Sequence, residues 1–422
     1  MTVSCAVGAF NTGTGAIGTT IDVIPSSPAI TISGVSVVKF FMVGRTENVD
    51  TSGRATRYKG FGAALSSTVR FGVVSQSQDA VAAATGGSYH SNAACIVSCD
   101  VGTATDGLID FDSWLSDGFR LIVDDVMPRD YRVGYIIYTG LDAAAFGTWL
   151  DTSSTGNKVI TAALAFQPDV VTLVAASIDA AAPGGRAGNE MLGLGFAVSP
   201  TQRGTLTGGS DEGSATMDTD SYCTDAECLS CMVAAGGSVL GARWDFVSHN
   251  ADGFTLNQII VPPTLCRNYF IAMKGGVWSV QSVLTQTDTS TDINTGSLGG
   301  TPAGVFIISA CKVEHTVGAP TVHDSWSVGA ASDATHRFVG AIHDEDAVLD
   351  SEVTTASEHD AVYASINTSS VLEALMDVKT WADPITFIMD DADPSQKFVT
   401  MLVVANAVGG GASDPHDFFL AL

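Results

Sequence analysis

Short apolar runs broken by turn residues fill the chain. "VSVVKFFMVGR", "PDVVTLVAAS" and "AGVFIISACK" are rich in Val, Ile and Phe and bounded by Gly, Asp, Ser and Pro. That pattern predicts half-buried or core strands. Two places predict a short helical turn each instead: residues 90–98, "HSNAACIVS", and residues 369–378, "SSVLEALMDV". In the second, Val371, Leu372, Leu375 and Met376 fall on one helical face.

The runs recur at long range. "DGFRLIVDDVMPRDYRVGYIIYTG" (117–140) aligns without a gap on "DGFTLNQIIVPPTLCRNYFIAMKG" (252–275), and more weakly on "DPITFIMDDADPSQKFVTMLVVAN" (383–406). Pro128, Pro263 and Pro394 coincide in these segments, where each reads as a turn between two strands; proline fixes φ there and owes no ladder bond. Upstream, Gly62, Gly195 and Gly329 superpose, and Arg70, Arg203 and Arg337 fall together at the same offset. A shared period of roughly 134 residues predicts tandem copies of one supersecondary plan.

The expectation is an all-β protein of three diverged β-sandwich repeats, jelly-roll-like, with about eight strands each. Repeats occupy residues 1–145, 146–277 and 278–407, each long enough to bury a core of its own. Residues 408–422, "VGGGASDPHDFFLAL", read as a Gly-linked C-terminal arm. Its apolar end, Phe418, Phe419, Leu420 and Leu422, is the candidate contact with a neighbouring subunit.

Composition narrows the function classes. Of 422 residues, 45% are apolar and 15% charged, which marks a folded chain rather than a disordered one. The formal charge of −26 repels phosphate backbones, and no basic cluster reverses it locally, so nucleic acid is not an expected partner. No apolar run approaches the ~20 residues of a membrane helix, and "MTVSCAVGAFNTGTG" lacks the basic and apolar regions of a secretory signal.

Reactive constellations are sparse. "CTDAECLSC" (223–231) holds one CxxC without a second ligand pair, so buried thiols or a local disulfide are expected rather than zinc. "GTGAIG" (13–18) fits GxGxxG without the strand–helix context that pattern needs, and reads as a turn. The histidines at 90, 249, 315, 323, 336, 343, 359 and 416 are scattered and read as loop residues. Acid pairs Asp124/Asp125 and Asp390/Asp391 suit a hydrolase or calcium ligands, but Ile259 and Ile260 replace them in the middle repeat. No catalytic residue, cofactor or metal site is assigned.

The Gly/Thr/Ser/Val-rich, Lys-poor composition and the repeated sandwich unit resemble virion components of tailed bacteriophages: head decoration (cement) or tail-associated proteins. The resemblance implies a non-enzymatic, pseudo-trimeric building block, assembled in a host cytoplasm, released by lysis, and partnered by major capsid or tail proteins and by copies of itself. The alternative is a tail-fibre adhesin or carbohydrate-binding module using Trp114, Trp149, Trp244, Trp278, Trp326 and Trp381; a glycan-cleaving enzyme is third.

Overall fold

The computed structural model describes residues 2–25, 29–44, 49–54, 56–78, 85–99, 105–161, 164–177, 186–187, 190–210, 219–233, 239–263, 265–345, 353–369 and 371–407. Among them every regular element is a β-strand, and the strands pair antiparallel in three seven-stranded and three four-stranded sheets.

The first seven-stranded sheet runs Ser4–Asn11, Arg132–Leu141, Val35–Met42, Thr56–Ser66, Val69–Gln78, Thr85–Ser91, and ends with Arg186–Ala187. Its four-stranded companion runs Thr20–Val23, Phe119–Asp125, Thr105–Trp114, Ile96–Cys99. The second pair follows the same order: Ala143–Leu150, Arg267–Lys274, Val170–Ser177, Glu190–Ser199, Gln202–Ser210, Thr219–Thr224, ending with Thr321–Val322. Its companion is Gly156–Ile160, Gly253–Ile260, Val239–Asn250, Leu229–Val233. The third is Val277–Leu284, Phe398–Ala407, Gly300–Ser309, Asp324–Ala331, Arg337–Asp344, Val353–Glu358, ending with Val49–Arg54. Its companion is Ile293–Asn294, Thr386–Asp391, Leu372–Thr380, Tyr363–Ile366. Each such pair is called a module below. Sheet membership changes at Asp142 and again at Gly275–Gly276.

The last strand of each large sheet is foreign. Arg186–Ala187 leaves the second module to pair with Tyr89 and Ser88 of the first. Thr321–Val322 leaves the third to pair with Ser221 and Asp220 of the second. Val49–Arg54 leaves the first to pair with the strand Val353–Glu358 of the third. The exchange is cyclic, and each donated strand covers an edge that would otherwise present unpaired backbone. The first and third modules meet again where Asn406 Oδ1 accepts from Val3 N (2.7 Å) and Asn406 Nδ2 donates to Val3 O (2.9 Å).

Burial has two levels. Each sandwich has an interior of its own: in the first, Phe10, Phe40, Phe111, Phe119 and Tyr135 pack between the two sheets. The opposite faces of the three large sheets converge on one further core, with Phe41, Phe61, Val174, Leu194, Phe306 and Trp326 among its members. Independent cores alone were expected; the shared core adds to them.

Three expectations change. Each module contributes eleven strands, not eight, because the large sheet holds six of its own strands and one more is given away. Residues 90–98 contain the end of one strand and the start of another, with bends between. Residues 372–380 form a strand whose buried positions are Ala374, Met376 and Val378, a period of two. Pairing on both sides, to Tyr363–Ile366 and Thr386–Asp391, overrides the helical spacing.

Candidate functional site

The recurring anchors are joints between the two sheets of each module. A Cβ on Gly62, Gly195 or Gly329 would land on the carbonyl oxygen of Cys95, Cys228 or Val362 respectively, so only glycine lets the small sheet approach that closely. Eight residues on, Arg70 grips Asp110 with Nε (2.6 Å) and Nη2 (2.5 Å) and donates to Ala93 O. Arg203 pairs with Asp245 (2.6 Å) and Ala226 O, and Arg337 with Asp377 (2.7 Å) and Asp360 O. Each aspartate also accepts from the next backbone N–H, of Phe111, Phe246 or Val378. Pro128, Pro263 and Pro394 sit exposed in the turns before the last strand of each module.

The chemistry that the sequence did not reveal lies at the centre. Lys39, Thr172 and Phe306 occupy the same register position of equivalent strands, opposite Ala63, Phe196 and Ala330. They meet. Lys39 Nζ donates to Thr172 Oγ1 (2.9 Å) and lies 4.9 Å from the Tyr138 ring centroid and 5.2 Å from that of Phe306. Lys39 is fully buried, and desolvation pulls its amine down to about 7. The neighbouring Cys5 thiol is pushed up by burial. Lys59, Leu192 and Trp326 form a comparable set among the core-facing positions: Lys59 Nζ contacts Asp324 Oδ2, and the Trp326 ring lies 5.5 Å from it. A lysine inside an otherwise apolar run, as in "VSVVKFFM", is the signal that could have located this centre.

Polar contacts tie the joints. Between the first and second modules, Ser88 Oγ accepts from Met191 N (2.9 Å) and donates to Met191 O (3.1 Å), and His90 Nδ1 bonds Tyr269 Oη at 2.8 Å. Between second and third, His315 Nδ1 accepts from Cys223 N (2.7 Å), Nε2 bonds Thr321 Oγ1 (2.8 Å), and the ring stacks on Tyr222. Burial holds His315 down to about 4, so it is neutral at pH 7.

Grooves open outside these joints. One of about 350 Å³ lies between Val7–Phe10 of the first module and Thr335–Phe338 of the third, with Asp22, Tyr135 and His359 on its walls. Another of about 270 Å³ occupies the corresponding place between Phe146–Thr148 and Thr68–Phe71, with Asn92 and Tyr269. At the third joint Gln202 Oε1 reaches across to Val280 N (3.3 Å).

The remaining candidates are dispersed. Asp124 and Asp390 lie in different modules, each near its own arginine–aspartate pair, and burial raises both carboxyls. The tryptophans pack: Trp244 Nε1 donates to Asp151, Trp278 to Gly275 O, Trp114 to Leu65 O and Trp381 to Pro302 O, while Trp149 meets Trp244 edge-on. All eight cysteines are buried free thiols, and the sulfurs of Cys231 and Cys266 lie 3.7 Å apart. Among the described residues, Glu358, His359 and Asp360 bring three ligand atoms within 4.8 Å of one another. Phe418, Phe419, Leu420 and Leu422 lie outside the described residues. Compared with known proteins, the chain matches no family model, no curated protein and no solved structure.

Proposed function

We propose that the chain is a non-enzymatic structural block, pseudo-trimeric in plan, serving as a head decoration or tail-associated component of a phage virion. The observation that carries this reading is the cyclic exchange of strands around a shared core. A tandem chain closed in this way offers three similar faces to a three-fold site, or half of a six-fold ring. Major capsid or tail proteins and further copies of the chain are the partners this reading requires. Modest contacts repeated over many copies hold such a block by avidity, while the acidic surface keeps particles apart. The finer choice between head and tail is tested by cryo-EM of native particles: the reading requires symmetric, stoichiometric density that fits this ring. Its absence from purified particles overturns it.

The two open grooves favour a second reading, a carbohydrate-binding module. Concave sites at module boundaries with aromatic and convergent polar groups are common ligand sites. Binding of host-surface glycans by the free protein, lost in Phe146→Ala with the fold intact, supports this reading over the first.

A further inference from the structure

We propose that Lys59 and Asp324 are joined by an amide bond, a cross-link between the first and third modules formed by the chain itself. Both side chains are fully buried, and Nζ lies against Oδ2 of the carboxylate. All three modules build the site. The third supplies Asp324 and the Trp326 ring beside the amine. The second supplies Gly208, where a Cβ would take the place of the Asp324 carboxylate. The first supplies Lys59, on the strand that also sends Phe61 into the shared core.

A second carboxyl stands beside the pair. Asp344 faces Asp324 directly in the antiparallel register and is also fully buried. Cross-strand partners project to the same face with Cβ atoms about 5 Å apart. A carboxylate placed there can take up and return a proton during a reaction at its neighbour.

The reaction balances without an outside reagent. Asp344 takes a proton from the Lys59 ammonium, which frees the amine lone pair. Nζ attacks Cγ of Asp324, forming one N–C bond. Asp344 returns that proton to a carboxyl oxygen and then relays a second one from the attached nitrogen to the same oxygen, so that the C–O bond breaks, water leaves and the amide keeps one N–H. In sum, an ammonium and a carboxylate become an amide and one water. Close, fixed placement of nucleophile and electrophile supplies the rate. The ion pair carries a desolvation penalty in this interior. A neutral amide removes it. The product closes the ring covalently, because the same modules are already joined along the chain through the second.

Mass spectrometry of the denatured full-length protein tests this. The expected mass is below that of the sequence by one water, and digestion yields a branched peptide linking Lys59 to Asp324. Lys59→Arg and Asp324→Ala each restore the full mass, and Asp344→Asn slows or stops the loss. The parent protein decides the question whether or not a variant folds. A full sequence mass with linear peptides around both residues overturns the proposal, and so does a lost water that maps elsewhere.

Discussion

The sandwich interiors and the shared centre are made from opposite faces of the same sheets, yet they vary in different ways. Equivalent interior positions keep their kind: Phe40, Leu173 and Ile307 are all apolar, as are Phe119, Phe254 and Ile385. Central positions do so only in part: Phe41, Val174 and Ile308 stay apolar, but Lys39 meets Thr172 and Phe306, and Lys59 is matched by Leu192 and Trp326. An interior position is surrounded by its own module only. A central one is shared by three, so three identical large or charged side chains would collide or repel there. Tandem copies in one chain can differ at each such point, and at the two lysine positions these copies do.

The largest effects should come from emptying either region. Phe41→Ala at the centre and Phe119→Ala in an interior should each cost about 3–5 kcal/mol. They should differ in cooperativity. Calorimetry should show a single transition broadened or split for Phe41→Ala, with the van't Hoff enthalpy falling below the calorimetric one, but not for Phe119→Ala. Equal cooperativity in both would mean that the centre does not couple the modules.

Lys39→Met should stabilise the protein by about 1–4 kcal/mol near pH 6, because it removes a buried amine that has no carboxylate among its described hydrogen bonds. The sign with pH follows from the depressed folded value. Between about 7 and the ordinary lysine range the unfolded chain holds the extra proton, so the parent gains stability as pH rises. The advantage of the methionine variant over the parent, read from denaturant midpoints, should therefore shrink from pH 7 to pH 10.

His315 allows a gentler perturbation of one joint. Its folded value of about 4 lies below the unfolded one, so its contribution is present above the ordinary histidine range and lost as pH falls toward 4. Acidification to about pH 4 should cost roughly 3 kcal/mol through this group. Hydrogen exchange should speed at Thr321–Val322 before it does in the sandwich interiors, and His315→Gln should flatten the response. Smallest of all, Arg203→Ala should cost roughly 1–2 kcal/mol in thermal or chemical melts and leave the joints intact, because its partners lie within one module.

Sequence reasoning found what each module repeats within itself. Gly62, Arg70 and Pro128, with their counterparts, were visible because they answer to local contacts that every copy must make. The strand exchange was not visible. Arg186–Ala187 and Thr321–Val322 are two-residue strands with no apolar run of their own, and their pairing depends on another module's edge. Lys39 and Lys59 were passed over because they have no lysine counterpart, and a search for recurrence discards such positions. The helical spacing near Leu372 misled for a related reason: two flanking strands, distant from any local rule, decide its conformation.

The cyclic exchange also constrains how the chain is made. Val49–Arg54 leaves the ribosome well before the strand it pairs with, Val353–Glu358, because all of the second sandwich and part of the third lie between them in the chain. The first sandwich must therefore hold one segment unplaced until the third module has been made, while its own open edge at Thr85–Ser91 waits for Arg186–Ala187. Completion comes at a single late moment, when the third sheet arrives and the waiting segment finds its neighbour.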